Sequence, residues 1–169
     1  MRTGADVSKC GNLCQIYPLM FLLGEYEATV DAKNRFLLPG ALKKQFPENE
    51  KLVLSRGIDE NLVLYPIKTW EALVEKLLNM NEFEHNVRKF RAIMLGGATE
   101  IELDSAGRVL IPPSLKDHGK LKKDIVLAGD IDKIIVWDAA EYKKLFEETT
   151  PQKFSEIAEL VGARGNKAG

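Results

Sequence analysis

Asp31 and Arg35 stand four residues apart in DAKNRFLLPG, and Asp104 and Arg108 repeat that spacing in DSAGRVLIPP. An Asp at the head of a tight turn accepts hydrogen bonds from backbone N–H groups two or three residues on. An Arg presents a planar fork of donors that matches guanine edges and phosphates bidentately. One surface Asp–Arg pair is ordinary and contributes only about 0–1 kcal/mol. The duplication changes the weighing. A structural turn needs its Asp and one left-handed residue, and it has no need of an Arg both times. The left-handed residue is expected at Asn34 and Gly107, because Asn and Gly accept positive φ most readily. Arg35 and Arg108 then project from two turn tips.

No other group of residues competes for a chemical role. His85 and His118 have no neighbours that would complete a triad or a metal site. Cys10 and Cys14 form one pair with no second pair to finish a zinc site. Neither phosphate-binding glycine motif is present, and Gly96-Gly97 reads as a helix stop. The reading is therefore no catalytic residue, no metal, no cofactor and no evident small-molecule ligand. Trp70 and Trp137 read as core or oligomer-interface residues, and Arg88, Lys89 and Arg91 as a solvated helix face.

The elements that carry the turns are written twice as well. A shift of seventy-three lays Asp31 on Asp104, Asn34 on Gly107, Arg35 on Arg108 and Pro39 on Pro112. Each copy begins with an alternating strand (EYEATV, TEIEL), followed by the turn and a short apolar strand (RFLL, RVLI). A Pro-led short helix comes next, where Pro costs no needed hydrogen bond. A hairpin with a Gly, Asp and Asn-rich turn and a helix-like tail complete the unit. The hairpins match as KLVLSRG on KDIVLAG, a register slip of one that lays Gly57 on Gly129. Phe83, Val87, Phe90 and Met94 recur as one apolar helical face between the copies.

The expected organisation is residues 1–19 as a disordered leader or a start codon placed too early, and 20–77 as the first repeat. Residues 78–97 follow as a linking helix, 98–148 as the second repeat, and 149–169 as a tail with one or two helical turns. No apolar run approaches the ~20 residues of a membrane span, and a reducing cytosol fits the cysteine usage. The formal net charge is −1. A lone monomer of that charge is a poor nucleic-acid binder, so cations would have to be gathered locally or multiplied by assembly.

MFLLGEYEATVDAKNRFLLPGALKK, VLSRGIDENLVLYPIKTWEAL and ELDSAGRVLIPPSLK resemble the MraZ family of bacterial transcriptional regulators. The resemblance runs from Met20 to about Phe146. It implies an α+β fold, a pseudo-two-fold duplicated AbrB-like swapped-hairpin β-barrel with short helices. It also implies a ring-shaped homo-oligomer, cytoplasmic and nucleoid-associated, bound to double-stranded DNA at short direct repeats. The promoter implied controls a division and cell-wall gene cluster. Carried onto this sequence, the DNA contacts fall on Arg35 first, then Lys33 and Arg108, with Asp31, Asn34, Asp104 and Gly107 shaping the loops. The family often has Gly where this chain has Asn34, and positive φ remains open to it. The alternative is an antitoxin-like interaction module in which the Asp–Arg pairs brace neighbouring subunits. An enzyme has no support in the residues.

Overall fold

The computed structural model describes residues 21–165. The leader, Met20 and both cysteines lie outside the described residues. The first half supplies β1 (Glu25–Thr29), β2 (Arg35–Leu37), α1 (Gly40–Lys43), β3 (Leu52–Arg56), β4 (Leu62–Pro66), α2 (Ile67–Leu78) and α3 (His85–Gly96). The second supplies β5 (Thr99–Ile101), β6 (Arg108–Leu110), α4 (Pro113–His118), β7 (Asp124–Asp130), β8 (Lys133–Asp138), α5 (Ala139–Glu148) and α6 (Pro151–Gly165). The class is α+β with antiparallel strands.

Six strands form one sheet in the order β1-β7-β8-β4-β3-β5, and β2 and β6 form a separate two-stranded ribbon. The halves exchange strands. β1 of the first half pairs with β7 of the second, and β5 of the second pairs with β3 of the first. β4 and β8 meet at the centre. No hydrogen-bonded pairing joins the edge strands β1 and β5 among the described residues.

The pairing register corrects the repeat alignment. A shift of seventy-three carries the pair Tyr26–Leu127 onto Thr99–Leu54, so β3 and β7 still obey the longer shift. At the centre, a shift of seventy-two carries Leu62–Val136 onto Ile134–Leu64. The slip therefore lies inside the hairpin, not before it. Between the equivalent pairs Arg56–Leu62 and Gly129–Ile134, the first copy has five residues and the second four. Gly57 sits in its turn, whereas Gly129 is a strand residue pressed against Leu22, whose carbonyl leaves no room for a Cβ.

Sheet and ribbon share one core. Phe36, Leu38, Val109 and Ile111 from the ribbon strands and the residues that follow them pack with Leu54, Leu64, Leu127 and Val136 from the sheet. Burying each such side chain is worth about 1.5–3 kcal/mol. The period-two alternation decides the ribbon's inside and outside: Phe36 and Val109 are buried, while Leu37 and Leu110 on their C-terminal side face solvent.

The helices depart from expectation in two places. The linking helix is shorter than 78–97, because α3 begins only at His85. Phe83 precedes it and is 83% exposed, so it does not join Met94 on the buried face. Met94 alone of that face is buried. The Ser55 hydroxyl donates to the Met94 carbonyl at 2.8 Å, and Arg56 Nη1 donates to the Ile93 carbonyl at 3.0 Å, tying α3 to β3. The tail is longer than one or two turns, since α6 runs fifteen residues. Pro151 starts it at little cost, and Phe154, Ile157 and Val161 give it one apolar stripe. No helix among the described residues is long and apolar enough to cross a membrane.

Candidate nucleic-acid interface

Each turn is closed by its Asp as a small network. Asp31 Oδ1 accepts from the backbone N–H of Lys33 at 2.8 Å and of Arg35 at 2.9 Å. Asp104 Oδ1 accepts from the backbone N–H of Ala106 and of Arg108, both at 2.9 Å. The second donor in each turn is four residues on, one further than the sequence reading placed it. Backbone bonds from the Asn34 and Gly107 amides to the Asp31 and Asp104 carbonyls tighten the loops at 3.0 and 2.8 Å. Asn34 has φ 57° and Gly107 φ 78°, the left-handed positions expected of them.

The other carboxylate oxygen holds the guanidinium. Asp31 Oδ2 meets Arg35 Nε and Nη2, both at 3.1 Å. Asp104 Oδ2 accepts from Arg108 Nε at 2.7 Å. Both carboxyls are held below the usual Asp value. The largest cause in each is the backbone N–H of the Arg at the turn's end; burial opposes it, and the remaining N–H and guanidinium donors add to it. The Asp groups are thus ionised at neutral pH and fix both guanidinium groups against the turns.

Antiparallel pairing of β2 with β6 sets the turns at opposite ends of one short ribbon, within reach of each other. Arg35 lies opposite Leu110, and Leu37 opposite Arg108. The Leu38 amide donates to the Gly107 carbonyl, and the Ile111 amide to the Asn34 carbonyl, so each turn is bonded to the strand leaving the other. Arg35 Nη1 approaches Asp104 Oδ2 at 3.8 Å, linking the two pairs. Arg35 is therefore flanked by two carboxylates, while Arg108 is held through Nε by Asp104 and pairs with no second carboxylate among the described residues.

Lys33 is exposed at the first turn and makes no ion pair among the described residues. Lys116, from α4, donates to the Asn34 side-chain oxygen at 2.7 Å. The sequence reading missed its place here, although the shift of seventy-three also lays Lys43 on Lys116. Nothing local in the text tells which of two equivalent lysines reaches across. Four cations (Lys33, Arg35, Arg108 and Lys116) thus stand around two carboxylates on a chain of net charge −1. This is the local gathering of cations that composition alone did not provide.

Elsewhere, no group of three or more His, Cys, Asp or Glu side chains that could hold a metal occurs among the described residues. Arg88 is used at home, donating from Nη1 to the Glu82 and Phe83 carbonyls at 3.1 and 2.6 Å. Trp70 and Trp137 are half-buried, each tilted against a Tyr (Tyr65 and Tyr142).

Two halves of one design, exchanging strands and meeting in a ribbon that carries two Asp-x-x-x-Arg turns, define a duplicated α+β protein with one composite cationic face. The family model described as "MraZ protein, putative antitoxin-like" matches residues 21–93 and again 94–161. The protein named Transcriptional regulator MraZ of Thermoanaerobacter sp. (strain X514) is 34% identical over 138 residues, covering 82% of this chain and 94% of that one. Its namesake in Cytophaga hutchinsonii is 36% identical over 141 residues, covering 82% and 93%. That of Symbiobacterium thermophilum is 32% identical over 140 residues, covering 83% and 99%. The chain belongs to the MraZ family.

Proposed function

We propose that this chain is a sequence-specific DNA-binding transcriptional regulator whose reading surface is the β2–β6 ribbon and its two turns. The observation that carries this reading is the convergence of Arg35 and Arg108 on one exposed ribbon face, each guanidinium oriented by its own Asp. A two-stranded ribbon fits the DNA major groove, and a bidentate Arg–guanine contact is worth about 1–3 kcal/mol of discrimination. Lys33 and Lys116 supply backbone charge. Asp31, Asn34, Asp104 and Gly107 hold the loops in shape. The shared core of sheet and ribbon supports their assignment as two parts of an AbrB-like barrel.

One ribbon reads little sequence and holds few phosphates. A ring of copies bound to short direct repeats would multiply weak contacts by about 10²–10⁴. The family resemblance points to a promoter of a division and cell-wall gene cluster, and to a cytoplasmic, nucleoid-associated protein. Bracing between subunits by the Asp–Arg pairs is the weaker alternative, because each Asp already closes on the Arg of its own turn.

The test is fluorescence anisotropy with labelled DNA from upstream of the protein's own gene, across a salt series. Arg35→Ala and Arg108→Ala should each lower promoter affinity by at least tenfold while the oligomer elutes unchanged on gel filtration. Affinity retained by both variants sinks the DNA-reading assignment. Disassembly without prior loss of a DNA signal favours the bracing alternative.

A further inference from the structure

The reading face holds more than cations. Strand alternation puts Leu37 on the same side of β2 as Arg35, and Leu110 on the same side of β6 as Arg108. Leu37 is 56% exposed and Leu110 55% exposed, although each is flanked by core residues that are almost fully covered. The antiparallel register sets Leu110 opposite Arg35 and Leu37 opposite Arg108. Facing residues of such a ribbon lie about 4.5–5.5 Å apart, and residues two apart on one strand about 6.8 Å apart. The outer face is therefore a compact quartet, with an Arg and a Leu on each strand and like residues on the diagonals. Leu37 Cδ1 lies over Gly107, where a Cβ would stand 3.9 Å away, so the Leu is laid along the second turn, not splayed from it.

A pair of exposed leucines interleaved with Arg35 and Arg108, with Lys33 and Lys116 at the first turn, is ill suited to binding an anion alone. It suits a surface that is anionic at its rim and carries methyl groups between hydrogen-bond acceptors. The major groove has that chemistry: phosphates on its edges, guanine O6 and N7 as acceptors, and the thymine C5-methyl as the one apolar group. The spacing agrees, since about 6.8 Å along a strand spans two base steps of ~3.4 Å.

We infer that Leu37 and Leu110 are specificity-determining residues that read thymine C5-methyl groups lying within about two base steps of the guanines contacted by Arg35 and Arg108. This rests on the regulator reading above and adds a base to its recognition code. The occupant of the apolar patch is thus DNA itself, chosen by the complementary charge around the patch.

Deoxyuridine differs from thymidine at the base only by that methyl and still pairs with adenine. The experiment scans the promoter duplex with single thymine-to-uracil replacements and reads the affinity of the unaltered oligomeric protein by anisotropy at fixed salt. Losses of about three- to fourfold per methyl are expected at a few thymines next to guanines, and none elsewhere. Leu37→Ala combined with Leu110→Ala should bind thymine DNA more weakly by the combined amount, show no further loss at those positions, and keep the wild-type salt slope. If wild-type protein does not bind the promoter, the regulator reading fails and this one falls with it. If it binds but ignores every replacement, or loses affinity evenly at all thymines, the leucine assignment alone is overturned. A Leu variant still sensitive to the same replacements overturns it too. The wild-type scan depends on no variant folding.

Discussion

The two turns share a frame and differ in what they carry. In both, an Asp closes the loop on two backbone N–H groups and grips the Nε of the Arg. The first turn then adds Lys33, where the second has Ala106, and Asn34, where the second has Gly107. Asn34 also receives Lys116, and Arg35 feels a second carboxylate. The first turn is the more charged and the more constrained. The second has fewer cations, and its Arg pairs with one carboxylate and not two among the described residues. The shared atoms are therefore the folding requirement, and the differing side chains are where the two copies are at liberty to divide labour on one ligand.

The sharpest way to break the comparison is to attack the shared requirement in only one copy. Gly107→Val places a β-branched residue at φ 78°. Such a backbone costs about 1–3 kcal/mol. The space itself is open, because the nearest side-chain atom to a Cβ there is 3.9 Å away. The loss is therefore a backbone effect, read as a Tm fall of about 2–4 °C per kcal/mol in a chain of this size. Gly107→Asn should be nearly silent by the same measurement, as Asn34 already holds the equivalent position. Equal Tm falls for Val and Asn would show that crowding, and not φ, sets the residue type.

How much of this was legible depended on range. The Asp, the left-handed residue and the Arg lie within five positions, so their geometry follows from turn chemistry, and Asn34 and Gly107 behaved accordingly. The pairing of β2 with β6 joins residues more than seventy apart. No local pattern announces that Arg35 will face Leu110, so the composite face and the place of Lys116 could not be read. The hairpin slip was misplaced because apolar runs such as LVL and IVL align equally well in either register; only the ladder pairs fix it. Phe83 shared a helical spacing with Met94, but the chain turns at Asn81–Glu84, where the Asn81 side chain accepts from the Phe83 amide at 3.1 Å, before α3 begins. The strand exchange between halves came from the family resemblance and not from the residues.

Charge exchange at the differing positions has a smaller effect and sharpens the division of labour. If Lys33 touches a phosphate, Lys33→Ala should reduce the slope of log affinity against log salt by about 0.9. Ala106→Lys should raise the slope by a similar amount, because the repeat places residue 106 where 33 stands on its own turn. Both changes should weaken or strengthen all sequences alike, since a phosphate contact carries no base information. A change at 33 with none at 106 would mean that only the first turn approaches the backbone. No change at either would remove Lys33 from the interface.

The smallest effect concerns what the turns have in common. Asp31 and Asp104 both titrate below the ordinary Asp value of 3.8, chiefly because the ionised form accepts the backbone N–H of Arg35 or Arg108. A carboxyl whose pKa is lowered by folding adds stability that is fully present above the unfolded value. That contribution fades as pH falls from about 3.8 through the lower folded value. Between pH 5 and 8 neither turn should respond to pH. Carboxyl-carbon NMR titration should place both midpoints below that of a reference Asp, and the Arg35 and Arg108 amide signals should move with them. The comparison breaks if only one carboxyl is depressed: its partner's turn would then owe its shape to φ and the strand pairing, with the Asp free to serve the Arg alone.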